Sequence, residues 1–324
     1  MSFRTIGTLT LQLLLACSLV DTNAAAQGYP ARPIRFIVPS SPGSGNDFIA
    51  RIIALDMTQT LGQQFVIDNR AGGGGNIAAE LGARAPADGY TLVQISITAA
   101  INASLHSKLP YDLMRDFTPL TLLGTQANLV VVNASAPIKS IEDLVKLAKS
   151  NPGKLNFSSS GIGSNSFLAT ELLNSMAGIR LVHVPYKGGG PAAAAVAAGE
   201  VTLMIGPIST SMPFLQQGKM RGLAISSGKR LAEFPQYPTI SESIPGFEFD
   251  TWFGLVLPAK TPGDIVAILH RATVGALRQP GIVKQLSNAG FLATPMEPAE
   301  FAAFMKTEIK KLADIIRQTG ARAE

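Results

Sequence analysis

Short apolar runs alternate with amphipathic stretches along the first two thirds of the chain. Residues 34–38 form a compact run of strand type. A helical pattern follows over 46–61, where Phe48, Ile49, Ile52, Ile53 and Leu55 make a broad apolar face. Residues 65–67 read as a strand leading through the glycine loop "NRAGGGGNIAAE" into a helix over 76–85, and 91–95 and 129–132 read as further strands. Ser140 caps a helix over 141–149, with Glu142 and Asp143 in its first turn and Asn151-Pro152-Gly153 as its stop. The pattern then restarts: strands at 155–157, 181–184, 201–205 and 222–225, helices at 167–176 and 209–217, and an alanine-rich helix after "PYKGGG". Such alternation predicts parallel sheets covered on both faces. The last third reads as helical, with one helix from Thr261-Pro262 to about residue 278 and an amphipathic one from Pro298 to Gly320.

The first residues show a different pattern. "MSFRTIGTLTLQLLLACSLVDTNAAAQ" has an early Arg4, an apolar core and a small-residue end at Ala24–Ala26, the form of a cleaved signal peptide over residues 1–26. Leu14-Leu15-Ala16-Cys17 loosely resembles a lipoprotein cleavage site, but cleavage after Ala26 suits the flanks better. Cys17 is the only cysteine, so the exported chain is expected to lack disulfides and any cysteine nucleophile, and its 324-residue parent is long enough to rely on a full core. No later apolar stretch has membrane-spanning length, which makes a soluble periplasmic protein the expectation. The net charge is +5, and loss of Arg4 and Asp21 together leaves it unchanged. Without a long basic run, and with aromatic residues at 6%, nucleic acid is not an expected partner.

Two loops carry the candidate chemistry. "SSPGSGND" (40–47) and "SSSGIGSNS" (158–166) each follow a strand and open a helix, and each brings serines and two spaced glycines. Free N–H groups at a helix start favour an anion. A phosphate-binding loop would need a lysine after its glycines, and the dinucleotide fingerprint a third glycine. Both are missing, and Asp47 would oppose a polyphosphate. A carboxylate suits such a nest better. His106, His183 and His270 have no metal-ligand spacing, and there is no G-x-S-x-G elbow, so neither a metal, a cofactor nor a catalytic set is expected. The loop serines read as helix caps without an identifiable base. His183 reads as a buried strand residue and Lys187 as an exposed loop lysine.

The motifs converge on a family. "YPARPIRFIVPSSPGSGNDFIAR", "VIDNRAGGGGNIAAE", "ADGYTL", "LPYDLMRDFTPLTLL", "SSSGIGSNSFLATELL", "HVPYKGGGPAAAAVAAGEV", "GKMRGLAISSGKR" and "YPTISESIPGFEFDTWFGLVLPAKTP" occur in family order. With them the chain resembles the Bug-type extracytoplasmic solute-binding receptors of tripartite tricarboxylate transporters. The resemblance implies a type II periplasmic-binding-protein fold, two Rossmann-like α/β domains around a ligand cleft. Domain one would comprise residues 29–125 plus 229–324, and domain two 126–228. It implies a non-enzymatic, monomeric receptor that closes on a small mono- or dicarboxylate and docks on a membrane permease or a sensor kinase ectodomain. Ser40, Ser41, Gly43, Ser44, Gly45, Asn46 and Asp47 would form one ligand wall. Ser158, Ser159, Ser160, Gly163, Ser164, Asn165 and Ser166 would form the other, completed by a loop at Thr98 and the strand end at Gly206-Pro207. Relatives often have glycine at the position of Ser44 and histidine at that of Phe167. Some have an acid where Gly206 lies, and its absence favours a ligand without an amino group. A sensory co-receptor without a transport role and a secreted serine hydrolase are the alternatives.

Overall fold

The computed structural model describes residues 28–106 and 108–322; the expected signal peptide and Cys17 lie outside them. Every described helix and strand belongs to one compact unit, Arg32–Glu324, and the described residues 28–31 lie outside it.

The elements run β1 (Ile34–Val38), α1 (Gly45–Leu61), β2 (Phe65–Asn69), α2 (Asn76–Ala83), β3 (Thr91–Ser96), α3 (Ile97–Leu105), β4 (Phe117–Gln126), β5 (Asn128–Asn133), α4 (Ile141–Ser150), β6 (Asn156–Ser159), α5 (Asn165–Ala177) and β7 (Val182–Pro185). They continue with α6 (Gly189–Ala198), β8 (Leu203–Pro207), α7 (Ile208–Gln216), β9 (Met220–Ile225), β10 (Thr251–Pro258), α8 (Gly263–Arg278), α9 (Pro280–Asn288), β11 (Phe291–Ala293) and α10 (Pro298–Thr319).

The strands make a six-stranded sheet, ordered β11-β4-β10-β3-β1-β2, and a five-stranded one, ordered β7-β6-β8-β5-β9. In the first, β1 pairs in parallel with β2 and β3; in the second, β6 pairs in parallel with β7 and β8. The sheets are not wholly parallel, contrary to the alternation pattern. β10 is antiparallel to β3 and β4, and β5 is antiparallel to β8 and β9. The reason lies in the connections. The chain passes from one sheet to the other at 126–128 and returns through 226–250. β5 and β10, the first strands after each passage, enter their new sheets from the end at which the parallel strands leave.

The last third is also less helical than its pattern suggests, because β10 and β11 lie within it. β10 is buried at every residue and joins the middle of the first sheet. Its apolar run TWFGLVLP has no alternation, as expected of a strand covered on both sides. α10 packs against α3 and β4 and reaches α5 beside the second sheet. Its Phe301, Met305 and Leu312 join one continuous apolar cluster with Val93, Val130, Phe157, Leu168 and Trp252, so residues beside both sheets share a core.

Candidate functional site

The two serine loops are near copies in backbone. Gly43 and Gly163 have φ of +79° and +75°, and the N-caps Ser44 and Ser164 have φ/ψ of −77°/167° and −77°/161°. Each N-cap hydroxyl accepts from the backbone N–H three residues on, Asp47 and Phe167 respectively, at 3.3 Å. Ser44 N donates to Ser41 O and Ser164 N to Gly161 O, closing the same turn in both loops. Superposing the caps sets Asp47 opposite Phe167, whereas the letters of the two motifs suggest Phe48 opposite Phe167. Phe48 follows its cap by four residues and Phe167 by three, which displaces the visible echo by one position.

Within the first loop, Ser40 Oγ and Ser44 Oγ are 2.5 Å apart. Asp47 is buried and its carboxylate is engaged: Oδ2 accepts from Gly43 N at 2.8 Å and Arg51 Nε at 2.9 Å, and Oδ1 accepts from Asn69 Nδ2 at 3.0 Å. Burial works against its ionisation, but Arg51, Gly43 N–H and Asn69 outweigh that and hold the carboxyl below its usual pKa. Asp47 therefore braces the loop, a different task from the ligand contact expected of it. Ser41 and Gly43 are exposed, while Gly45 and Asn46 are half-buried in the first turn of α1.

The second loop is more deeply set, with Gly163, Ser164, Asn165 and Ser166 all buried. Ser158 is fully buried and donates to Ala192 O at 2.9 Å, tying β6 to α6 rather than facing a ligand. Ser159 Oγ lies 2.6 Å from His183 Nε2, so a base does stand beside a loop serine. The imidazole is stacked on Phe157 and tilted against Phe167, with centroids 4.9 and 4.8 Å away, and burial lowers its pKa. Ser159 Oγ also accepts from Gly161 N at 3.1 Å, so this pair pins the turn. Ser160 N donates to Ser166 Oγ at 3.0 Å. Gly206 and Pro207 end β8, and Thr98 sits in the first turn of α3 rather than in a loop.

Elements from both sheets meet around these loops. A Cβ built on Gly163 would fall 2.7 Å from Asn102 Oδ1 and 3.1 Å from Leu105, so the second loop rests on α3 with no space for a side chain. A Cβ on Gly74 would fall 2.9 Å from Asn102 Nδ2, which donates to Gly74 O at 2.9 Å. Across the first loop, a Cβ on Gly45 would meet Phe291 at 3.3 Å and both Gln126 Oε1 and Ser209 Oγ at 3.6 Å. Asn102, Gln126 and Ser209 are absent from the sequence-based set. They lie within or beside apolar stretches, and only the α3 spacing of Thr98 to Asn102 hints at a shared face.

The passage strands carry a further polar group. Asn128 is fully buried; its Nδ2 donates to Phe249 O at 2.6 Å, and its Oδ1 accepts from Asn165 Nδ2 at 2.6 Å and Thr251 Oγ1 at 3.0 Å. Ser226 Oγ accepts from Asn128 N at 2.9 Å and donates to Asp250 Oδ1 at 3.0 Å. One network therefore joins both passages to the start of α5.

Among the described residues there is no cluster of groups that would hold a metal ion and no helix long and apolar enough to cross a membrane. An R. palustris protein solved with adipate superposes with a TM-score of 0.87 at 34% identity, covering 91% of this chain and 99% of its own. MatC of Rhodopseudomonas palustris, solved with malate, gives 0.83 at 33% identity over 89% of this chain and 100% of that one. BugT of Bordetella pertussis is 33% identical over 96% of each chain. These similarities set the two-sheet α/β architecture among the periplasmic solute-binding folds, in receptors rather than enzymes. The profile of the tripartite tricarboxylate transporter family receptors matches residues 49–321, and the chain belongs to that family.

Proposed function

We propose that the protein is a periplasmic receptor that captures a small mono- or dicarboxylate between the two serine loops and delivers it to a tripartite tricarboxylate-type permease. The observation that carries this is the matched pair of capped helix starts, each with free N–H groups and a left-handed glycine before its cap. Residues near 29–125 with 229–324 would form one lobe and 126–228 the other, with the passages at 126–128 and 226–250 as the hinge. The ligand would contact Ser40, Ser44, Gly45 and Asn46 from one side and Ser160, Gly163, Ser164, Asn165 and Ser166 from the other. Ser41, Gly43, Thr98, Gly206 and Pro207 would shape the wall. The leader pattern at residues 1–26 and the family support export to the periplasm.

Thermal denaturation with a panel of C3–C6 mono- and dicarboxylates tests this reading. At a hundredfold excess over Kd, a true ligand stabilises by about 2.7 kcal/mol, so at least one acid should raise the melting temperature. A panel with no effect, beside a shift from sugars or nucleotides, would reject a carboxylate site. Ser44→Trp and Ser164→Trp should each remove that ligand-induced shift while the variant keeps a cooperative melt. Retention of the shift in both variants would place the ligand elsewhere.

A further inference from the structure

The amide network sets which way Asn165 faces. Phe249 O is a carbonyl and can only accept, so the Asn128 group 2.6 Å from it is the donor, Nδ2. Asn128 Oδ1 then faces Asn165, and the Asn165 atom 2.6 Å away must be Nδ2. A flip of either amide would set donor against donor or acceptor against acceptor. Asn165 Oδ1 is consequently turned away from the passage strands, on a residue only 7% exposed, and it is buried without a hydrogen-bond partner. Asn46 Oδ1, in the first turn of the matching helix α1, is also buried and unpartnered. Buried acceptors of this kind carry a desolvation cost until a donor reaches them.

Resting on the carboxylate reading, we infer that the receptor selects a hydroxycarboxylate, whose hydroxyl donates to Asn165 Oδ1 while its carboxylate takes the helix-start N–H groups. The two roles do not interchange. A carboxylate oxygen at Asn165 Oδ1 would set lone pairs against lone pairs, whereas a hydroxyl supplies the missing proton. An ammonium is the poorer donor here, because both asparagines are neutral and the loop's carboxylate, Asp47, is already taken by Arg51, Asn69 and Gly43 N.

The test compares matched acids by calorimetric titration of the full mature chain: succinate against malate, glutarate against 2-hydroxyglutarate, and adipate against 2-hydroxyadipate, with aspartate as the amino counterpart. In at least one pair the hydroxylated acid should bind about tenfold more tightly, the factor that 1.4 kcal/mol represents and within the usual cost of a buried orphan acceptor. Aspartate should bind no better than succinate. In Asn165→Ala the preference should collapse to less than threefold, with a cooperative melt reporting that the variant is folded. Equal binding within every pair, or a preference unchanged in Asn165→Ala, would overturn the hydroxyl assignment while leaving the carboxylate site standing. Failure of every acid to bind would overturn both.

Discussion

Asn128→Ala should be among the most damaging single substitutions in the protein, costing about 3 kcal/mol or more. The loss leaves the Phe249 carbonyl, the Asn165 amide and the Thr251 hydroxyl without the partner each now has. Each buried group stranded in this way costs about 1–3 kcal/mol, less where water can enter. Chemical denaturation should show a lower midpoint. Ligand affinity should also fall, because the first turn of α5 loses its tether to the passage strands. Asn128→Leu keeps the volume but restores no hydrogen bond, and should be as unstable as the alanine variant. An alanine variant as stable as the parent would mean that the network contributes little to the fold.

The second large effect concerns Asp250, at the end of the returning passage. Burial raises its pKa from 3.8 to about 6; the Ser226 hydroxyl opposes this, Glu248 adds to it, Lys311 opposes it and Glu308 adds to it. Glu308 is held by Trp252 Nε1 at 3.1 Å and lies 3.7 Å from Lys311 Nζ, so its charge stays near the passage. The native protein binds this proton more readily than the unfolded chain. Stability therefore falls as pH rises from 3.8 towards 6, and above about 6 the full cost of the charge is present. With allowance for partial exposure, that cost is about 2 kcal/mol. Asp250→Asn keeps an acceptor for Ser226 and removes the charge. It should raise the melting temperature at pH 7.5 by about 5 °C and have little effect at pH 4. A stabilisation of equal size at both pH values would show that the carboxylate's ionisation is not its source.

Local signals in the chain predict the parts of the fold that depend on neighbours in sequence. The cap at Ser140, the strand at 34–38, the stop at Gly320 and the twin serine loops all appear where turn chemistry and periodicity set them. β10 and β11 escape that reading for a physical reason. β10 pairs with strands more than 120 residues away, and its buried run has no period to distinguish a strand from a helix. The antiparallel strands result from where the chain passes between sheets, which no local pattern records. At the candidate site the loops are visible in sequence, but their division of labour is not. Asp47 and Ser158 have the residue types of ligand contacts, yet their polar atoms are spent on Arg51, Asn69, Gly43 and Ala192. Asn102 and Asn128 sit in otherwise apolar segments and acquire their roles only when distant backbone carbonyls reach them.

The place of β10 also sets an order of assembly. β10 lies between β3 and β4, so these two strands meet no partner on their facing edges until the ribosome has passed Pro258. The five strands of the other sheet are all made by Ile225 and can pair earlier. A nascent chain thus carries an open, unfinished first sheet through most of its synthesis.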